Sequence, residues 1–157
     1  MHDDINTLRR ILKECRVLAV VGLSAQWHRP SFFAAKYMME HGYRVIPVNP
    51  QYAEVLGQKC YASLREIPEK VDLVDVFRKT ADVLPIAEDA TAIGARVFWQ
   101  QLGVTNEAAD ALARSKGLET VMDRCVKIEH GRLFGGLNWV GVNTRVISAK
   151  RPRWLAY

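Results

Sequence analysis

The sequence predicts a doubly wound, Rossmann-like α/β fold, a three-layer arrangement built on a parallel sheet of about five strands. Short apolar runs rich in β-branched residues alternate with longer helix-like stretches, and glycines (Gly42, Gly94, Gly117) punctuate the ends of those stretches. No repeat, low-complexity segment or linker interrupts the alternation. Strands joined by single helices must run parallel through right-handed crossovers. Such strands are buried on both faces and read as continuous apolar runs.

An amphipathic helix from about Asp4 to Glu14 precedes the first strand, Val17 to Val21. That strand stops at Gly22 and a polar loop, Ser24 to Arg29. Pro30 and Ser31 then open a helix towards His41, since proline at the first turn sacrifices no amide bond. Tyr43 to Val48 is the second strand, halted by Asn49-Pro50. Leu56-Gly57 reads as a turn and Ser63 to Glu66 as a short helix. Asp72 to Phe77 is the third strand, Ala81 to Ile93 a helix, and Arg96 to Trp99 the fourth strand. Asn106 to Lys116 is the next helix and Glu119 to Met122 the fifth strand. From Val126 onward the glycines Gly131, Gly135, Gly136 and Gly141 suggest an irregular C-terminal tail, 126–157.

At 157 residues a single domain over 1–157 is expected, with its core over about 17–125. Hydrophobic residues at 49% and charged residues at 25% exclude disordered and collagen-like classes. Twenty-two basic side chains against 17 acidic ones give a net charge of +5, which favours an anionic partner. Acidic residues stand at the very N-terminus, unlike a secretory signal, and the longest apolar run, Val17 to Val21, is far short of a membrane span. Cys15, Cys60 and Cys125 are widely spaced and form no disulfide framework, so a cytoplasmic location with reduced thiols is expected.

In an open α/β sheet the ligand crevice lies beyond the carboxyl ends of the strands. That places Gly22-Leu23-Ser24, Asn49-Pro50, Phe77-Arg78, Trp99-Gln100-Gln101 and Asp123-Arg124-Cys125 around one site. The first loop offers a sharp glycine turn, the hydroxyls of Ser24 and Ser31, and the charge of Arg29 beside a helix N-terminus, a natural phosphate seat. A dinucleotide fingerprint would need two more glycines and an acid at the end of the second strand. Only Gly22 is present, and the strand ends in Val48-Asn49-Pro50. A P-loop is excluded because no Gly-Lys-Ser or Gly-Lys-Thr occurs.

The strings GLSAQWHRPS, IPVNP, EVLGQKCY, VDLVDVFRK, FWQQLGV and VMDRC, in that order between Val17 and Cys125, resemble the small stand-alone CoA-binding proteins. These are similar to the CoA-binding domain of the succinyl-CoA synthetase α subunit. The resemblance implies coenzyme A, or an acyl-CoA, as ligand. It implies phosphate contacts from Gly22, Leu23, Ser24, Arg29 and Ser31, and an adenosine end bordered by Asn49 and Pro50, with Gln51 and Lys59 as weaker neighbours. Phe77 and Arg78 would wall the crevice, and Trp99, Gln100 and Gln101 would flank the pantetheine arm. The synthetase's further domain, with its phosphorylated histidine, has no counterpart in 157 residues, so binding without ligation is the expectation.

Plainer roles compete at several positions. Arg29 and Ser24 could serve only the loop, and Phe77 and Trp99 could be packing residues. Cys125 is either a structural thiol or a reactive one whose pKa Arg124 lowers, which would make the protein a CoA-dependent enzyme. A binder of another nucleotide such as NAD(P) is the remaining alternative. The histidines (His2, His28, His41, His130) show no metal-ligand spacing, and Asp72 and Asp75 fall on opposite faces of one strand, so no catalytic machinery is resolved. The basic end Lys150-Arg151-Pro152-Arg153-Trp154 suits a solvated or subunit-docking terminus in a homo-oligomer or with a protein partner better than nucleic acid.

Overall fold

A computed structural model describes residues 4–134. Helix α1, Ile5–Glu14, starts where the Asp4 carboxylate accepts the backbone N–H groups of Asn6 and Thr7 at 2.9 and 3.0 Å. Strand β1, Val17–Val21, then enters a parallel sheet next to its edge strand. Helix α2, Pro30–Glu40, leads to β2, Arg44–Val48. The short strands β3, Glu54–Val55, and β4, Gln58–Lys59, form an antiparallel hairpin. Strand β5, Leu73–Val76, helix α3, Val83–Ala92, strand β6, Val97–Gln100, helix α4, Glu107–Ser115, and strand β7, Glu119–Val121, complete the alternation.

The five long strands lie in the order β2-β1-β5-β6-β7 with every pairing parallel. Alternation along the strands divides the core. Leu18, Val20, Leu73, Val97 and Trp99 pack with residues of α1 and α2, while Ala19, Val21, Val74, Val76 and Phe98 pack with residues of α3 and α4. Asp72 fastens the entry of β1 to β5, its carboxylate accepting the N–H groups of Arg16 and Val17, each at 2.9 Å.

The expected turn at Leu56-Gly57 is the tip of the β3–β4 hairpin, with φ of 52° and 72°, the paired left-handed geometry that suits the twist of a two-residue hairpin. One segment departs from expectation. The expected irregular tail begins instead with a further helix, α5, Val126–Leu133, which packs against α1 and α2. Gly131 lies inside it; the reading from glycine content failed because tertiary burial of Val126 and Leu133 overrides that residue's weak propensity. The rest of the expected tail lies outside the described residues. Among the described residues no helix is long and apolar enough to cross a membrane.

Candidate functional site

The strand order reverses between β1 and β5, since the chain moves outward to β2 in one direction and to β5, β6 and β7 in the other. A crevice opens at such a point because the two connecting loops leave on opposite sides. Gly22, immediately after β1, sits at its base with φ of +86°. Its N–H donates to Val48 O at 2.8 Å, and a Cβ there would lie 2.3 Å from Phe77 O and 2.9 Å from Arg78 Cδ. Only glycine lets the first loop press this closely on the end of β5.

Loop atoms are then fixed one by one. Ser31 Oγ, buried at the start of α2, accepts the Ser24 N–H at 3.1 Å, and Ser24 Oγ accepts the Gln26 N–H at 3.1 Å. Both hydroxyls keep their own proton to donate outward. Arg29 precedes the proline that opens α2, with Nε on Gln26 Oε1 at 3.2 Å. Asn49 ties this loop to the end of β2: its Nδ2 donates to Leu23 O at 3.1 Å and its Oδ1 accepts the Gln51 N–H at 3.0 Å.

These elements enclose a cleft of about 740 Å³, within the usual size of small-molecule sites. Beside Gly22, the residues Ser24, Arg29, Ser31, Arg78 and Lys79, from the first loop, the start of α2 and the end of β5, supply its cations and hydroxyls. Gln101, Leu102, Val104, Cys125 and Ile128, from the loop after β6 and from α5 with the residue before it, are uncharged lining. Asn49, Gln51, Tyr52 and Phe77 also line it, and no carboxylate lines it among the described residues. Arg78 also meets Asp82 at 3.7 Å beside a smaller cavity of about 190 Å³, which Pro50 lines.

Of the expected site residues, Gly22, Ser24, Arg29, Ser31, Asn49, Phe77, Arg78 and Gln101 come together on the cleft. The side chains of Leu23, Trp99 and Gln100 do not line it; all three are fully buried. Strand β6 runs on through Gln100, so Trp99 points into the core, where its Nε1 donates to Arg124 O at 2.7 Å. Gln100 clasps the turn before α4, accepting Asn106 N–H at 2.7 Å and donating to Asn106 O at 3.1 Å. Lys59 stands on the hairpin over the Tyr61 ring, 5.2 Å from its centroid, and outside the cleft lining.

Tyr52, Lys79, Leu102, Val104 and Ile128 are lining residues that the sequence did not single out. Lys79 directly follows the Phe77-Arg78 pair and was within reach of the same strand-end rule, whereas Ile128 was hidden with α5. Cys125 does face the cleft, but Arg124 is turned to the Glu129 carboxylate at 3.3 Å. Burial pushes the Cys125 thiol up, opposed only in part by the amides at the start of α5, so the expected lowering by Arg124 is not found. Burial likewise raises the Cys15 thiol to about 12 and the Asp75 carboxyl to about 7, the latter against the pull of a Gln101 hydrogen bond.

A parallel sheet of this order, with a glycine-based crevice lined by arginine and lysine at its reversal, defines a Rossmann-like α/β protein. Residues 16–131 match the family described as CoA binding domain, and the chain belongs to that family. It is 41% identical over 123 residues to the uncharacterized protein YneT of Bacillus subtilis, a match spanning 78% of this chain and 91% of that one. A hypothetical protein from Pyrococcus horikoshii superimposes with a TM-score of 0.83 at 42% identity, over 84% of this chain and 93% of that chain. Acetate–CoA ligase (ADP-forming) I of Archaeoglobus fulgidus is 41% identical over 58 residues, 37% of this chain and 8% of the ligase. Membership of the family supports coenzyme A binding.

Proposed function

We propose that the protein binds coenzyme A or an acyl-CoA in the cleft at the strand-order reversal, as a binding module. The observation that carries this reading is that one cleft is lined both by the cations Arg29, Arg78 and Lys79 and by the uncharged Gln101, Leu102, Val104 and Ile128. Coenzyme A has the same two kinds of surface. Its pyrophosphate and 3′-phosphate need cations and hydroxyl donors; its pantetheine arm is an uncharged chain of amides ending in a thiol. The hydroxyls of Ser24 and Ser31, the turn at Gly22 and the start of α2 complete the phosphate seat.

NAD(P) fits less well, because Asn49 holds the position of the ribose-binding acid and spends both ends of its amide on Leu23 and Gln51. A second reading, CoA-dependent chemistry at Cys125, is favoured by the place of that thiol on the cleft wall. Its raised pKa supports a wall residue over a nucleophile. Reduced thiols also fit a cytoplasmic protein.

Arg29 tests the phosphate seat. Truncation to Ala should weaken coenzyme A by about 1.5–3 kcal/mol, the range for hydrogen bonds to charged groups. The ligand-free protein should change by no more than about 0.5 kcal/mol, because the side chain is exposed. Titrations paired with unfolding curves of both proteins check it. Unchanged affinity removes Arg29 from the site, and a large loss of ligand-free stability makes it structural.

A further inference from the structure

Among the uncharged lining residues of the cleft one polar side chain has a free end. Gln101 is only 3% exposed yet lines the cleft. Its Nε2 donates to Asp75 Oδ1, and its Oε1 has no hydrogen-bond partner among the described residues. Asp75, at 1% exposure on β5, has no partner but Gln101 among the described residues. Its neighbours in register are the apolar Val20 of β1 and Trp99 of β6.

An ionised carboxylate can only accept hydrogen bonds, so it forces Gln101 to turn its NH₂ inward and its carbonyl oxygen to the cleft. A protonated carboxyl is a donor, which lets the amide reverse: Asp75 O–H then donates to Oε1, and the NH₂ faces the ligand. The inner surface of the cleft thus changes from acceptor to donor when one proton arrives from solvent. We propose that the Asp75–Gln101 pair is a proton-linked positioning device, holding the amide N–H groups of a pantetheine arm only while Asp75 is charged. This rests on the reading that the arm lies against the uncharged lining residues.

Raised to about 7 by burial, the Asp75 carboxyl makes its change in the neutral range. The groups facing it from packed elements are few. Cys125, at the start of α5, couples to it electrostatically, and Lys127 stands beside that thiol. Arg78 and Lys79 follow β5 itself, and β1 and β6 bring no charge to it. Both acid and thiol gain protons as pH falls, but only the acid does so near neutrality.

The test is a titration of the full chain with coenzyme A and with 3′-phosphoadenosine 5′-phosphosulfate, which lacks the arm, at about pH 8 and about pH 6. The phosphosulfate shares the titrating 3′-phosphate, carries no other group that titrates in that range, and so records that phosphate's effect alone. Wild-type affinity for coenzyme A should fall about three- to tenfold more than phosphosulfate affinity between the two pH values, as the competent state is depopulated. Asp75→Asn, whose amide pairs with Gln101 in either direction, should bring the two ligands to the same pH response. Gln101→Met should do likewise and serves should Asp75→Asn not fold. Equal pH responses of the two ligands in the wild type, or a wild-type difference that persists in Gln101→Met, would overturn the proposal. Absence of coenzyme A binding by the wild type at about pH 8, with the phosphosulfate still bound, overturns the arm's placement; absence of both overturns the coenzyme A reading itself.

Discussion

Gly22 meets two demands that no other residue meets together: a φ of +86° and a neighbour at 2.3 Å from where its Cβ would be. Gly57, at the hairpin tip, has a φ of +72° but open space around it. Gly22→Ala should therefore cost about 2–4 kcal/mol, and Gly57→Ala closer to about 1 kcal/mol, because only the first adds a clash with backbone to the conformational penalty. Urea unfolding of the two variants measures the gap; equal losses would mean that the contact with Phe77 is relieved cheaply. At this scale the first loop was legible because a glycine, two serines and an arginine before proline are chemistry written in sequence order. A packing role for Trp99 was among the readings of the sequence, whereas Gln100 was not legible as an interior residue, since the end of β6 is set by its neighbours β5 and β7 and not by a local stop signal.

Helix α5 forms one wall of the cleft through Ile128 and the preceding Cys125, and its seat on α2 depends on a cluster of aromatic and imidazole rings. His130 Nδ1 lies 3.0 Å from the Tyr37 hydroxyl, and the His41 ring stacks on Tyr37 with centroids 3.9 Å apart. Burial first, then positive charge at His41 and Arg16, holds the His130 imidazole below its ordinary value of 6.5. A base depressed in the folded state binds its proton more readily when unfolded. The stability it contributes is full above about pH 6.5 and is lost as pH falls through the folded value. Asp75 acts in the opposite sense over the same range, so His130→Phe, which removes only the histidine, isolates the effect. Thermal unfolding across that range should show a shallower acid-side decline in the variant, and parallel curves would contradict the assignment. The strands and α1 to α4 were readable from period and end signals. The eight residues of α5 were not, because a short helix with weak periodicity is chosen by what it covers.

For the whole molecule, the strand alternation read from sequence and the observed order β2-β1-β5-β6-β7 lead to the same place: the carboxyl ends of β1 and β5. What the order alone withholds is the distribution of charge around that place. Arg29 comes from the start of α2, Arg78 and Lys79 from the end of β5, and the neutral wall from the loop after β6 and from α5. Those residues are far apart in the chain, and only the sheet brings cation and neutral amide to one cleft. Calorimetric titration of the full chain with coenzyme A and, separately, with NAD tests this account most directly. Saturable binding of coenzyme A, tighter than NAD and accompanied by a larger rise in unfolding temperature, is the predicted result. Binding of NAD as tight as or tighter than that of coenzyme A would contradict it.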